Sequence, residues 1–225
     1  MIFFPSVSAG LVNGPIYPRY YYFDFGVSGV AEDSYITSSP DVNNNYWNNI
    51  TGATPPTIGQ RILNNVRTSK NFETTISLGG LGGYNSNANF LGGQFDPGAA
   101  LLGDFAIPNA TKDYFYNGES TNVDFLISNL SQDKIYDFAF FGSRNTTETR
   151  VTAYFVSGSG DLQSGQAQTS GPGASISNPL YSGNDSRIVR ISGVKPNPNN
   201  QIRFYLNTVS GSFQHLNAMK MTEKI

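Results

Sequence analysis

Alternation of apolar and polar positions dominates the middle of this chain. Three runs, Val123–Leu130, Ile135–Phe141 and Thr149–Val156, place β-branched and aromatic side chains on one parity and a more mixed set on the other. A repeat of two residues is typical of strands with one buried face. Short polar links join the runs, so successive strands are predicted to pair antiparallel in a β-sandwich.

The flanking regions contain further strand-like runs and two segments without periodicity. The segments Gly79–Gly103 and Gly158–Asp185 are rich in small and polar residues, and the second leaves room for one strand. Ile58–Val66 fits either a short helical turn or a strand. No helix longer than two turns is predicted. The remaining predicted strands are Arg19–Val27, Phe72–Leu78, Arg187–Ser192, Gln201–Thr208 and Phe213–Thr222.

These elements predict one all-β domain, an antiparallel β-sandwich of jelly-roll type, over residues 20–225. Residues 1–19 are broken by prolines and glycines and are predicted to form an extended N-terminal arm. Such an arm either clips onto a neighbouring subunit or is a frayed tail. The long loop 79–103 is a second candidate for assembly contacts. A homo-oligomer, or a place in a larger assembly, is therefore expected.

Composition narrows the classes of partner. Aromatic residues make up 13% of the chain and charged residues also 13%, with a net charge of −2 and no run of Lys or Arg. Such a chain lacks the positive field that nucleic acid or an anionic membrane requires, so neither is expected as a partner. The absence of cysteine excludes disulfides and thiolate metal sites.

The N-terminal sequence predicts no secretory signal, because its apolar start is short, lacks an early basic residue and contains Pro5. The neutral, amide-rich composition nevertheless suits an extracellular surface. A phage virion protein satisfies both observations, since it is made in the cytoplasm and displayed outside after lysis. The alternative is a secreted module from which the signal has been removed, which would place the chain outside the cell.

An aromatic and amide-rich segment is the leading candidate for ligand binding. Trp47 is the only tryptophan and stands among Asn residues. A flat ring can stack on a sugar while amides and a guanidinium bond its hydroxyls. The competing interpretation buries Trp47 in the core, and pairs Arg144 with a carboxylate of Asp113, Asp137 or Glu148. The predicted ligand-binding residues are Tyr46, Trp47, Asn48, Asn49 and Arg144.

The same segment carries a candidate cation site. Asp41, Asn43 and Asn45 place oxygen-bearing side chains at alternate positions, as at the start of a helix–loop–helix calcium loop. The sixth position of that loop requires Gly but is Tyr46, and the twelfth requires Glu but is Gly52. A calcium hand is thereby excluded, which leaves a looser Ca²⁺ site on a sandwich loop or an Asn-rich turn. No other cofactor is expected.

Catalytic chemistry is not expected from this sequence. His215 is the only histidine, so a two-histidine metal site is excluded. No Gly-x-Ser-x-Gly elbow accompanies it, which argues against a Ser–His–Asp hydrolase. His215 lies in a strand-like run and is predicted to be packed or at a sheet edge. The chain is therefore predicted not to be an enzyme.

Seven short pieces of the chain carry a resemblance to galactose-binding-like β-sandwich modules, which often stand beside polysaccharide-degrading or esterase domains. This resemblance implies a jelly-roll-like sandwich and carbohydrate binding, and it implies no reaction. The Gly-Asp-Ser block of the associated esterases is absent, since Gly160-Asp161 is followed by Leu162. The matching pieces are Phe23–Gly26, Tyr46–Thr51, Thr111–Tyr116, Leu126–Leu130, Tyr136–Arg144, Thr149–Gly158 and Leu216–Met221.

Two functions are therefore consistent with the sequence. The first is a non-catalytic surface or structural protein of a phage particle, such as a capsid decoration, head fibre or tail adhesin, that contacts glycans or other virion subunits. The alternative is a carbohydrate-binding module of a secreted polysaccharide-degrading system. The first predicts an oligomer or arms that order on a partner, and the second predicts sugar affinity in an isolated monomer.

Overall fold

The computed structural model describes residues 18–27, 35–52, 60–82, 84–86, 92–118 and 123–225. Almost all of the regular structure in these ranges is strand. Helix is limited to α1 (Ala99–Leu102), α2 (Pro108–Thr111) and one 3-10 turn, Gly103–Phe105. The strands are β1 Arg19–Gly26, β2 Trp47–Thr51, β3 Arg61–Leu63, β4 Ser77–Gly82, β5 Asn85–Ser86, β6 Phe115–Gly118, β7 Val123–Ser128, β8 Ile135–Phe141, β9 Arg150–Ser157, β10 Gln163–Ser170, β11 Val189–Val194, β12 Ile202–Ser210, β13 Phe213–Leu216 and β14 Ala218–Lys224.

Two large sheets form a β-sandwich, as the alternation predicts. Sheet I has five strands in the order β11-β8-β14-β1-β2, and sheet II has six in the order β10-β9-β12-β7-β4-β3. A small third sheet, β13-β6-β5, lies beside them. Pairing is antiparallel except between β1 and β2, which run parallel. The chain is therefore an all-β protein built on an antiparallel sandwich.

Aromatic side chains from both sheets fill the space between them. Phe125 of β7 and Phe204 of β12 stack with their centroids 4.8 Å apart. Across the sandwich, Phe25 lies 5.4 Å from Phe125, and Phe140 lies 5.2 Å from the ring of Tyr154. Each is essentially buried, and burial of such a side chain contributes about 1.5–3 kcal/mol. In β7 and β8 the aromatic parity is thus the inner face of the sandwich. In β9 the predicted parity of Val151, Ala153 and Phe155 is wrong, because these residues lie on the outer face and Tyr154 packs in the core.

The outer face of sheet I is also covered. The short helices α1 and α2 and the turn between them bring Leu102, Phe105 and Ile107 onto this face. Phe105 stacks on Phe141 of β8 with centroids 6.4 Å apart. This second apolar cluster explains why β8 carries buried side chains on both parities.

Five of the seven residues in the predicted strand Phe72–Leu78 lie outside strand β4. Phe72 is 70% exposed and lies in a turn, whereas the strand β4 begins at Ser77 and continues through the glycines to Gly82. Propensity argues against strand at consecutive glycines. These glycines nevertheless form a strand because backbone pairing with β7 holds them in an extended conformation, with Gly79 opposite Leu126.

The predicted strand Phe213–Thr222 is two strands in different sheets. Asn217 separates β13 from β14, and its side chain is fully buried. The amide donates to the carbonyl oxygens of Thr111 and Asp113 at 2.7 and 2.8 Å, and its oxygen accepts the N–H of Ser143 at 2.7 Å. These bonds turn the chain from the small sheet into sheet I.

Other predicted elements agree with the structure. The three central runs appear as β7, β8 and β9, and β1 begins at Arg19, at the predicted boundary between arm and domain. The strand expected within Gly158–Asp185 is β10, and the ambiguous segment Ile58–Val66 contains β3. Residues 1–17 of the predicted arm, and residues 83 and 87–91 of the predicted assembly loop, lie outside the described residues.

Candidate functional site

Trp47 lies in the protein interior. Its side chain is 5% exposed and its ring centroid is 5.1 Å from that of Tyr22 on β1. The indole N–H donates to the Asp41 carboxylate at 2.8 Å. This burial corrects the prediction of a stacking platform, because a buried ring offers no face to a sugar.

The neighbouring amides are engaged by the backbone. Asn48 donates to the carbonyl oxygens of Tyr22 and Arg67 and accepts the N–H of Arg67 at 2.8 Å. Asn49 exchanges two hydrogen bonds with the backbone of Thr37. Both amides thus fasten loops to the edge of sheet I, which corrects their assignment as ligand-binding groups. Tyr46 is half-buried, and its backbone N–H donates to the Ser69 carbonyl at 3.1 Å.

Arg144 belongs to a different part of the fold. Its guanidinium lies 5.5 Å from the ring centroid of Tyr114, and its backbone N–H donates to the carbonyl of Thr169 on β10. None of these described contacts joins it to Trp47. The structure therefore does not assemble Arg144 and the Trp47 segment into one binding site.

The predicted cation ligands form a turn. One carboxylate oxygen of Asp41 accepts the backbone N–H groups of Asn43 and Asn45, each at 2.8 Å, and the other accepts the indole N–H of Trp47. Asn tolerates such turns well, and Asn44 indeed has a φ of 60°. The segment therefore forms an Asx-type turn in the structure, and Ca²⁺ binding by Asp41, Asn43 and Asn45 stays a prediction.

His215 is packed in the interior, as predicted. Its side chain is 1% exposed, and its ring contacts the Thr169 hydroxyl and an Arg150 nitrogen at 3.3 Å each. Burial, together with the nearby arginine charges, holds the pKa of His215 well below its usual range. Arg150 in turn forms an ion pair with Glu148, whose pKa is lowered to about 2 by Ser212 and Arg150.

The role of Trp47 can be measured by replacing it with phenylalanine. Trp47→Phe keeps a ring in the cluster but removes the hydrogen bond to Asp41. We expect a loss of about 1–2 kcal/mol in the free energy of unfolding, measured by urea denaturation. Binding of any glycan by the folded variant should be unchanged. A folded Trp47→Phe protein that no longer binds sugar would contradict the structural role.

The outer face of sheet II presents a different arrangement of aromatic and polar groups. Phe155 of β9 and Tyr205 of β12 are directly opposite each other in the antiparallel register. Their half-buried rings are nearly parallel, with an interplanar angle of 6° and centroids 4.8 Å apart. Such a pair forms one continuous apolar surface on the outer face of the sheet. We call it the Phe155–Tyr205 platform.

A charge pair borders the platform. The Arg203 guanidinium lies 4.9 Å from the ring centroid of Tyr205 and forms a two-pronged ion pair with Asp124 on β7. Arg203 is half-exposed, and its partner raises the pKa of the guanidinium further. Because each charge is matched by the other, this border is fixed in position and has little net charge.

Amide and hydroxyl groups lie on the other side of the platform. The register of β10 against β9 puts Ser164 opposite Phe155 and Gln166 opposite Ala153, and both polar residues are exposed. On β12, Asn207 is also opposite Ala153. The Asn207 side-chain oxygen is buried and has no hydrogen-bond partner. A ligand hydroxyl would reach this oxygen only after the Asn207 side chain turned outward, so the exposed Ser164 and Gln166 are the polar groups that a ligand on the platform meets first.

A buried carboxyl pair lies on the opposite side of the sandwich, on sheet I. Asp24 accepts the N–H of Thr37 at 2.9 Å, and Asp113 accepts the N–H of Val27 at 2.8 Å. The second oxygen of each carboxyl is buried without a hydrogen-bond partner. Burial raises the pKa of Asp113 to about 7, and burial with the charge of Asp113 raises the pKa of Asp24. Together with the Asn49 side-chain oxygen, these are hard oxygen ligands of the kind that Ca²⁺ takes.

Among the residues that the structure describes, no three His, Cys, Asp or Glu side chains form a metal-binding group. Within the same ranges, no helix has the length and apolar character to cross a membrane.

The sequence did contain a signal for the platform. Both of its strands carry an aromatic doublet, Tyr154-Phe155 on β9 and Phe204-Tyr205 on β12. Because side chains alternate between the two faces, a doublet must turn one ring outward. Tyr154 and Phe204 are fully buried, so Phe155 and Tyr205 are the outward rings. Parity alone could not show that the two outward rings lie opposite each other, because this depends on strand register.

Comparison with solved structures gives partial likenesses. TmCBM61, solved in complex with β-1,4-galactotriose, is 10% identical with a TM-score of 0.35, covering 67% of this chain and 90% of that one. The enzymatically active domain of bacteriophage CBA120 tailspike protein 4 is 12% identical with a TM-score of 0.29, covering 65% of this chain and 19% of that one. Infectious bursal disease virus, Gx strain, gives 11% identity and a TM-score of 0.18, over 91% of this chain and 50% of that one.

No family model matches the chain. No curated protein matches it either. The β-sandwich is shown by the two sheets themselves, and membership of a galactose-binding-like family stays a prediction.

Proposed function

We propose that this chain is a non-catalytic carbohydrate-binding protein that uses the Phe155–Tyr205 platform. The observation that carries the proposal is the pair of parallel, half-buried rings beside the exposed Ser164 and Gln166 of the neighbouring strand. Sugars have apolar faces bordered by hydroxyl groups. A site that joins aromatic rings to fixed hydrogen-bonding groups matches both features.

The groups around the platform favour a neutral glycan. Arg203 is satisfied by Asp124, so neither charge requires a counter-ion from a ligand. The remaining polar groups nearby are the amides of Gln166 and Asn207 and the hydroxyl of Ser164. Amides both donate and accept hydrogen bonds, and so suit hydroxyls that do the same.

The setting that we propose is the surface of a phage particle, where the protein would serve as a capsid decoration, head fibre or tail adhesin. The composition supports it, since the chain is cysteine-free, poor in charge and rich in neutral hydrogen-bonding side chains. A carbohydrate-binding module of a secreted polysaccharide-degrading system is the alternative. Co-purification with intact particles is the expected result for the first setting, and its absence supports the second.

A glycan array followed by calorimetry tests the binding proposal. The wild-type protein should bind neutral glycans, and Phe155→Ala and Tyr205→Ala should each weaken binding at least tenfold, or about 1.4 kcal/mol. Phe72→Ala is the matched control, because Phe72 is an exposed ring away from this face. Equal loss of affinity in the Phe72 variant, or no loss in either platform variant, would refute the assignment.

The non-catalytic part of the proposal has a separate test. Incubating the protein with an acetylated polysaccharide should leave both the acetyl content and the chain length unchanged. Release of acetate, or shortening of the chain, would overturn that part while leaving the platform open to test as a binding site.

A further inference from the structure

Strand β10 forms one edge of sheet II. It is eight residues long, Gln163–Ser170, and pairs with β9 on one side only. No described backbone group makes a hydrogen bond to the outer edge of Gln163–Gln168. At the C-terminal end of β10, by contrast, Ser170 forms an isolated β-bridge with Gly183. An edge of this kind presents a row of free backbone donors and acceptors.

The other edges of the two sheets are shorter or protected. β3 has three residues and β2 has five. β11 has six, carries the exposed Arg190, and shifts register near Gly193, which has a φ of 79°. Charges, irregular register and short length are the usual means of keeping edges from pairing. Over Gln163–Gln168, β10 has no charge, no proline and no bulge.

We propose that β10 docks a second copy of this chain by antiparallel pairing with the same strand of the partner. When two copies of β10 pair antiparallel about a two-fold axis, the residues that lie opposite each other must point to the same face of the sheet. An axis at Gln166 does so, placing Gln166 opposite itself and Ser164 opposite Gln168 on the outer face. On the inner face, Gly165 meets Ala167, and both side groups are small. The sequence of the strand is therefore self-complementary.

Pairing of this kind would extend sheet II across the dimer. Two six-stranded sheets would become one continuous sheet, with a Phe155–Tyr205 pair on each half of the same outer face. The docking itself does not depend on what that face binds, so its success or failure leaves the proposed function to be judged on its own test.

Mass measurement and one engineered cysteine test the docking. The wild-type chain should be a dimer by light scattering, and Gln166→Lys should raise the dimer dissociation constant at least tenfold, because two lysines would face each other. Gln132→Lys, on an exposed turn elsewhere, is the charge-matched control and should leave the dimer intact.

Because the chain has no cysteine, a disulfide can only come from the introduced residue. Opposite residues have Cα atoms about 4.5–5.5 Å apart, within disulfide range, so Gln166→Cys should crosslink on mild oxidation. Ser164→Cys is the control, since its two copies would lie roughly 13 Å apart along the strands. A wild-type monomer, or crosslinking through residue 164 and not through 166, overturns the proposal.

Discussion

Replacing Asn217 with alanine is expected to lower the free energy of unfolding by about 3–5 kcal/mol, because several buried backbone groups lose their partner at once. The Asn217 side chain bonds the carbonyls of Thr111 and Asp113 and the N–H of Ser143, all in the interior. Alanine satisfies none of them.

Urea denaturation measures this loss directly, and Asn199→Ala is the matched control. Asn199 is exposed, and its replacement should change the free energy by no more than about 0.5 kcal/mol. A second expectation distinguishes Asn217 from a general core residue. Because its bonds fix the junction of β13 and β14, amide exchange in both strands should accelerate in the variant. An Asn217→Ala protein as stable as the control would show that the junction is held by other contacts.

The sandwich could be predicted because its evidence is local. A strand with one buried face requires apolar residues at every second position. The aromatic residues Tyr136, Phe138 and Phe140 make this repeat easy to recognise. The same reasoning failed at Asn217, where no repeat marks the junction between two strands. What ends β13 there is a set of bonds to Thr111, Asp113 and Ser143, which are distant in sequence.

Binding residues were harder to predict than strands for a related reason. A tryptophan among asparagines resembles an exposed sugar platform when read alone. The structure buries Trp47 because the 99–111 segment packs onto the outer face of sheet I, a contact that periodicity cannot reveal. The Phe155–Tyr205 platform depends on the register between β9 and β12, which is equally invisible in one strand at a time.

The buried carboxyl pair makes stability depend on pH in a direction opposite to the usual one for acidic residues. The pKa of Asp113 is raised to about 7 in the folded protein, while an unfolded aspartate titrates near 3.9. Between these values the folded state keeps a proton that the unfolded state has lost. The contribution of Asp113 to the free energy of unfolding is therefore greatest at and below about pH 4, and it is lost as the pH rises through about 7.

The size of the change follows from the shift. Three pKa units of difference correspond to roughly 4 kcal/mol, most of it lost between about pH 4 and pH 7. Asp24 shares the environment and its pKa is also raised, so its contribution has the same sign. Lys112 opposes the effect, since its positive charge lowers the pKa of both carboxyls.

Asp113→Asn provides the decisive comparison. An asparagine oxygen can still accept the N–H of Val27, but it carries no charge at any pH. We expect the variant to match the wild type at about pH 4 and to be more stable by a few kcal/mol at pH 8. Urea denaturation should be performed in EDTA, so that no divalent cation neutralises the pair, and repeated with CaCl₂. A wild-type stability that is flat from pH 5 to pH 8 in EDTA would mean that the pair is hydrated, because water would then supply the partners that the two carboxyl oxygens lack.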